Sequence, residues 1–181
     1  MKIVIALLSM LMLTSCCKDG VETARYLISD EEKEFNPYSI GDITHFKHSK
    51  GSRVTFKVEG INTELRFSET EHCGDNFYAY EELLILLTGD IGFDINITIQ
   101  PVEFSDRLNI RIGNTDLIAL TSSLPDFDSL DINGTIYKDV YLVESGEENP
   151  KTILPQSLIF NKEYGIIQFK MTNDETYTID H

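Results

Sequence analysis

The strongest constraint on the fold is an alternation of apolar and polar residues with a period of two. The clearest runs are Phe93–Ile99 and Leu108–Ile112. This period places successive side chains on opposite faces of an extended chain. Strands with one buried face and one wet face are typical of antiparallel sheets. We therefore predict a pair of strands whose core-facing side chains are Phe93, Ile95, Ile97, Ile99, Leu108, Ile110 and Ile112.

Similar runs, separated by turn-forming residues, cover most of the chain from residue 42. Further strands are predicted at Val54–Val58, Ile61–Phe67, Thr135–Val143, Ser157–Phe160, Gly165–Met171 and Thr176–Ile179, with a turn at Glu59-Gly60. Asn133-Gly134 is the strongest hairpin signal, because a tight type I′ turn needs two residues in left-handed conformation. About ten strands without helical crossovers predict an all-β fold. It is an antiparallel meander that forms either a sandwich or a barrel.

Two segments depart from the period of two. Ser29 and Glu32 have the spacing of a capping box, so we expect one short N-terminal helix there, ended by Pro37. Tyr80–Leu87 is apolar on both faces at its end, a pattern that fits a buried strand or a helix. Tyrosines precede the segment and glycines bracket it, which favours a strand.

The first residues have the pattern of an export signal. Lys2 is followed by an apolar run over Ile3–Leu13, which is too short to cross a membrane as a helix. The run ends in Leu13-Thr14-Ser15-Cys16, which resembles the lipobox of bacterial lipoproteins. The resemblance implies cleavage after residue 15 and acyl chains, such as palmitate, on Cys16.

Further segments resemble small lipoproteins of the Bacteroidota. Lys18 and Asp19 are similar to the signal that sends such lipoproteins to the cell surface, and Leu27–Lys33, Asp131–Tyr141 and Asn161–Phe169 resemble recurring segments of uncharacterised members. The resemblance implies a lipid anchor in the outer membrane with display at the cell surface, or alternatively an orientation facing the periplasm. It carries over no catalytic residue.

We therefore divide the chain into three parts. Residues 1–15 are the lipoprotein signal peptide, residues 16–35 form a lipidated tether with the short helix, and residues 36–181 form a single β domain. About 165 mature residues are enough for one domain with a substantial core. Three cysteines are too few for a disulfide scaffold.

The charge balance excludes one class of partner. Thirty acidic residues stand against fifteen Lys and Arg, a formal charge of −15 that becomes −16 once Lys2 is removed. Nucleic acids and anionic headgroups require basic patches, so we expect neither as a partner. The expected partner is the membrane, through the lipid on Cys16, together with an unknown protein or small ligand.

No motif indicates catalysis or a cofactor. The chain lacks a phosphate-binding glycine loop, a His-Glu-x-x-His helix and a Gly-x-Ser-x-Gly turn, so we expect a non-enzymatic binding or structural module. The alternative is a carrier that holds a hydrophobic ligand inside a barrel. Tyr137 and Tyr141 share one face of a predicted strand. They form a candidate binding surface if Val140 and Leu142 face the core, and they are buried if both faces are covered.

Metal sites are weakly indicated. His45, His48 and His72-Cys73 could ligate zinc, but His45 and His48 are three positions apart and point to opposite faces of a strand. Solvated histidines are the favoured interpretation. Asp126, Asp128 and Asp131 crowd a predicted loop that could hold calcium. The loop lacks the glycine and distal glutamate of an EF-hand, so an acidic turn is favoured.

Overall fold

The structure is a computed structural model, and it describes residues 20–68, 76–103, 108–119, 124–145 and 153–181. Cys16, Lys18, Asp19, His72 and Cys73 lie outside these ranges. The elements within them are the helix α1 (Asp30–Lys33) and the strands β1 (Glu22–Tyr26), β2 (Ile43–His48), β3 (Arg53–Phe67), β4 (Phe77–Gly89), β5 (Asp94–Ile99), β6 (Leu108–Ile112), β7 (Thr115–Ala119), β8 (Phe127–Ile132), β9 (Thr135–Glu144), β10 (Pro155–Asn161), β11 (Gly165–Met171) and β12 (Thr176–Ile179).

The protein is all-β, as predicted, and it divides into two compact units. The larger unit comprises residues 26–66 and 80–181. Its strands pair in the order β4-β3-β2-β12-β11-β10-β9-β7-β6-β5, and β5 pairs again with β4. The pairing therefore returns to its first strand and forms a circuit, and most strands are connected to their sequence neighbours as in a meander.

The predicted pair of alternating strands is confirmed residue by residue. Ile95, Ile97 and Ile99 of β5 lie opposite Ile112, Ile110 and Leu108 of β6. These six side chains are buried, and Phe93 packs against the same core. The ambiguous Tyr80–Leu87 segment is a strand within β4, as favoured, and it pairs with the other edge of β5.

The circuit of strands encloses the main hydrophobic core. Five phenylalanines have almost no exposure, and Phe46 packs edge-to-face against Phe56 and Phe169, with ring centroids 5.7 and 5.5 Å away. A second cluster lies under the hairpin of β8 and β9, of which only β8 pairs outside the circuit. Its buried members are Ile132, Tyr137, Val140 and Ile167. The cluster therefore attaches β8 to the circuit.

The N-terminal segment of the larger unit belongs to the domain. Ser29 and Glu32 form the predicted capping box, with the Glu32 amide 3.2 Å from Ser29 Oγ and the Ser29 amide 2.7 Å from Glu32 Oε2. Ile28 and Phe35 are buried in the main core. The expected boundary between residues 35 and 36 is therefore too late, because these apolar side chains anchor the segment.

The smaller unit comprises residues 1–25 and 67–79, of which 20–25, 67–68 and 76–79 are described. In it, β1 pairs with the start of β4. Residues 22–26 were expected to be tether, and this part of the prediction is wrong. The Phe77 amide donates to Val21 O at 3.2 Å, so a strand partner orders a segment whose own sequence lacks periodicity.

Two other local predictions are also wrong. Glu59-Gly60 is not a turn, since β3 runs through it without a left-handed residue, and Leu65 and Phe67 near its end are exposed. The predicted loop with Asp128 and Asp131 is the strand β8. The Asn133-Gly134 turn after it is as predicted, with φ values of 54° and 87°.

Candidate functional site

A polar groove of about 430 Å³ opens on the surface of the larger unit and is its best candidate for a binding site. We call it the outer groove. Its floor comes from β2 and β12, and its walls come from the segment after α1 and the turn before β11. It is lined by Pro37, Tyr38, Asp42, Ile43, Thr44, His45, Arg53, Glu163, Tyr164, Ile179, Asp180 and His181.

The pairing of β2 with β12 brings the floor of the groove together. Ile179 lies opposite Phe46, and the next residue, Asp180, donates its amide to His45 O at 2.8 Å. Alternation along β2 turns Phe46 and His48 inward, so His45 and Lys47 face outward. Side chains from opposite ends of the chain therefore share one outer surface.

The floor carries an ion pair. Arg53 Nε lies 3.2 Å from Asp180 Oδ2, with about half of each side chain exposed. Next to it, His45 Nδ1 lies 3.1 Å from Thr55 Oγ1. Because the guanidinium has five N–H groups, the remaining donors can bind an acceptor on a ligand while the carboxylate accepts from a donor.

An aromatic cluster forms one wall of the groove. Tyr164 is 37% exposed, and its ring packs edge-on against Tyr137 at 5.5 Å and against His181 at 5.0 Å. Buried Asn161 fixes the turn by accepting the Tyr164 amide at 2.8 Å. A hydrogen bond to the Glu163 carboxylate raises the pKa of Tyr164, so its hydroxyl stays protonated at neutral pH.

A second pocket, of about 460 Å³, adjoins the outer groove and shares Ile179 and Asp180 with it. Lys47, Thr176 and Thr178 line it from β2 and β12, and Asn133 lines it from the hairpin turn. Both pockets open outward and have more polar than apolar lining. A polar surface thus extends along β12 as far as the turn of the β8–β9 hairpin.

The candidate tyrosine surface is not exposed. Tyr137 belongs to the cluster under the hairpin and Tyr141 to the main core, with exposures of 2% and 6%. Asp139 lies between them in left-handed conformation, with φ of 50°. It interrupts the alternation, so Val140 and Tyr141 are both buried although adjacent. Of the two alternatives, the buried one therefore holds for both tyrosines, and they do not form the candidate binding surface.

The histidine and aspartate clusters have structural partners. His45 and His48 do point to opposite faces, and within the described residues no group of three or more His, Cys, Asp or Glu is arranged to hold a metal ion. Asp126 Oδ2 accepts the Leu142 amide at 2.7 Å, and Asp131 Oδ1 accepts the Gly134 amide at 2.8 Å. These two carboxylates stabilise the β8–β9 hairpin.

Sequence reasoning missed the residues that build the outer groove. Arg53, Tyr164 and Asp180 carry no motif, and their proximity depends on a strand pairing between distant parts of the chain. Comparison with protein-family models, curated proteins and solved structures found no match. No helix among the described residues is both long and apolar enough to cross a membrane.

Proposed function

We propose that the protein is a lipid-anchored component of the bacterial cell envelope that acts by binding, without catalysis, and that the outer groove is its binding site. The observation that carries the proposal is the groove itself, which presents an exposed ion pair and an aromatic wall on a rigid sheet. Pre-formed clefts with a few convergent polar groups are the usual form of small-ligand sites.

The packing favours this proposal over a carrier for a hydrophobic ligand. Large aliphatic and aromatic side chains fill the interior of the strand circuit, including Phe46, Phe56 and Phe160 at 0% exposure. A ligand inside would have to displace them. The described pockets lie outside this core and have mostly polar linings, which disfavours an apolar ligand.

The charges of the groove favour an uncharged polar ligand. Asp42, Glu163 and Asp180 outnumber Arg53, and the whole chain carries a formal charge of −15, so an anion is repelled. A guanidinium and a carboxylate side by side donate to and accept from neighbouring hydroxyls, and the Tyr164 ring offers an apolar face. We propose a saccharide as the ligand class.

The ligand class is tested by ligand-observed NMR with a panel of neutral mono- and oligosaccharides and the full-length protein in detergent micelles. Arg53→Ala should weaken binding by about tenfold or more, a loss of about 1.4 kcal/mol. Arg111→Ala is the matched control, because the Arg111–Asp116 pair has nearly the same exposure as Arg53–Asp180 and lies outside the groove. Equal effects of the two substitutions, or no binding of any saccharide, would contradict the proposal.

We propose that the protein is located on the outer surface of the outer membrane, and that Lys18 and Asp19 after the lipidated Cys16 are the signal for this location. Lipids hold an anchor equally in either leaflet, so the choice requires a receptor-read signal. Protease added to intact cells should digest the wild type, whereas Lys18→Ala with Asp19→Ala should be protected while still membrane-bound. Protection of the wild type until the outer membrane is permeabilised would support the alternative, periplasm-facing orientation.

A further inference from the structure

The smaller unit presents apolar side chains where β3 ends and β4 begins. Phe67 is 55% exposed and Val21 is 64% exposed. The Phe67 ring packs edge-on against Phe77, with centroids 5.6 Å apart at 79°. Single exposed apolar residues are ordinary, whereas contiguous apolar patches mark sites of contact with a protein or a membrane.

The start of the described chain is fixed to this same place. The Phe77 amide donates to Val21 O at 3.2 Å, and the Val21 amide lies 3.4 Å from Asn76 Oδ1. Thr23 Oγ1 donates to Phe77 O at 3.0 Å. Val21 and Thr23 are thus held against β4, so these residues lack the freedom expected of a tether.

The distance from the anchor is short. Five peptide units separate Cys16 from Val21, and a fully extended chain of that length spans at most about 18 Å. We infer that Val21, Phe67 and Phe77 form a surface that contacts the lipid bilayer beside the anchor. The inference rests on the proposed lipidation of Cys16. The two phenylalanine rings then lie at the boundary between headgroups and acyl chains, where proteins bound at the membrane surface bury such side chains.

The contact is tested with a fluorescent reporter, which is simple because the chain contains no Trp. Full-length lipidated Phe67→Trp is reconstituted into vesicles of phosphatidylcholine with and without brominated acyl chains. We expect a blue-shifted emission and a loss of intensity in the brominated vesicles. Phe127→Trp is the matched control, since Phe127 is an aromatic residue of similar exposure, 41%, in the larger unit. Its quenching should be clearly weaker.

Two measurements distinguish a failure of the proposed bilayer contact from a failure of the proposed lipidation. Mass spectrometry shows whether the purified protein carries lipid, and flotation shows whether it binds the vesicles. A lipidated, floating protein whose reporter at position 67 is unquenched, or is quenched no more than the one at 127, would overturn the bilayer contact alone. A protein without lipid that does not float would overturn both proposals.

Discussion

Ile97 lies in the middle of β5, where its side chain is wholly buried between Ile85 of β4 and Ile110 of β6. Ile97→Ala removes buried methyl groups and leaves a cavity, so unfolding should become easier by about 2–5 kcal/mol. Asn96→Ala, at the neighbouring exposed position, should change stability by less than about 0.5 kcal/mol. Urea denaturation of both variants measures the difference, and similar midpoints would contradict the assigned burial.

Gly165 is required both by its backbone and by its neighbour. Its φ of 74° is left-handed, and a Cβ atom there would collide with the Tyr38 ring. The Tyr38 hydroxyl accepts the Ile166 amide at 2.8 Å and the side chain is buried, so the ring is not free to move aside. Gly92 has a similar φ of 81° with nothing near its Cβ position.

A comparison of Ala substitutions at these two glycines distinguishes the cost of left-handed backbone strain from the cost of a steric collision. Gly92→Ala should cost about 1–2 kcal/mol from left-handed strain alone. Gly165→Ala carries the same strain and must also displace Tyr38, so its thermal midpoint should fall further. Equal losses for the two variants would show that the Tyr38 contact is not restrictive.

Glu175 makes stability depend on pH. A hydrogen bond from Lys50 lowers the pKa of Glu175 from 4.5 to about 2, and His48 Nε2 lies 3.4 Å from its other oxygen. A carboxylate with a lowered folded-state pKa stabilises the protein above its unfolded pKa. This contribution should therefore be complete above about pH 4.5 and be lost as the pH falls towards about 2.

The measurement is the denaturation midpoint of the wild type and of Glu175→Gln over that range. The variant should lose less stability than the wild type between about pH 4.5 and pH 2. Lys50→Met removes the hydrogen bond that lowers the pKa of Glu175 most. The variant should therefore lose this stability at a higher pH than the wild type does. A variant that follows the wild type at every pH would contradict the role of Glu175.

At the scale of elements, β8 differs from the other strands of the larger unit. Among the described residues it pairs only with β9, whereas β10 lies between β9 and β11. Of the residues of β8 only Ile132 is buried, and it belongs to the second cluster rather than to the main core. Local opening should therefore need less free energy there. Amide hydrogen exchange should be faster in β8 than in β10, and equal protection would contradict this order.

A strand could be predicted from the sequence when its own residues and the adjoining turns specify it, and not when it forms only by pairing with a distant segment. β11 and β12 have the predicted bounds, because alternation and flanking turn residues specify them locally. β1 was missed because its polar sequence becomes a strand only through pairing with β4. The outer groove was missed for a similar reason, since the pairing of His45 with Asp180 joins residues far apart in the sequence. Tyr137 and Tyr141 were misplaced because the left-handed Asp139 breaks the period.

In the whole molecule as we propose it, a strongly acidic β domain is held at a membrane by lipid and not by charge. One acyl chain gives reversible membrane binding, while two or more chains hold a protein stably. A net charge of −15 gives no attraction to anionic headgroups. Association with the membrane should therefore persist in high salt and should depend on Cys16.

Cys16→Ser shows whether the lipid on Cys16 holds the protein at the membrane. Wild type and variant are expressed in a bacterium that processes lipoproteins, and both are analysed by intact-mass spectrometry and membrane fractionation. The wild type should be found in the salt-washed membrane fraction with the mass of residues 16–181 plus a diacylglyceryl group. The variant should keep residues 1–15, carry no lipid and lose stable anchoring. A wild type that has no lipid mass, or a variant that is cleaved and anchored like the wild type, would contradict the account.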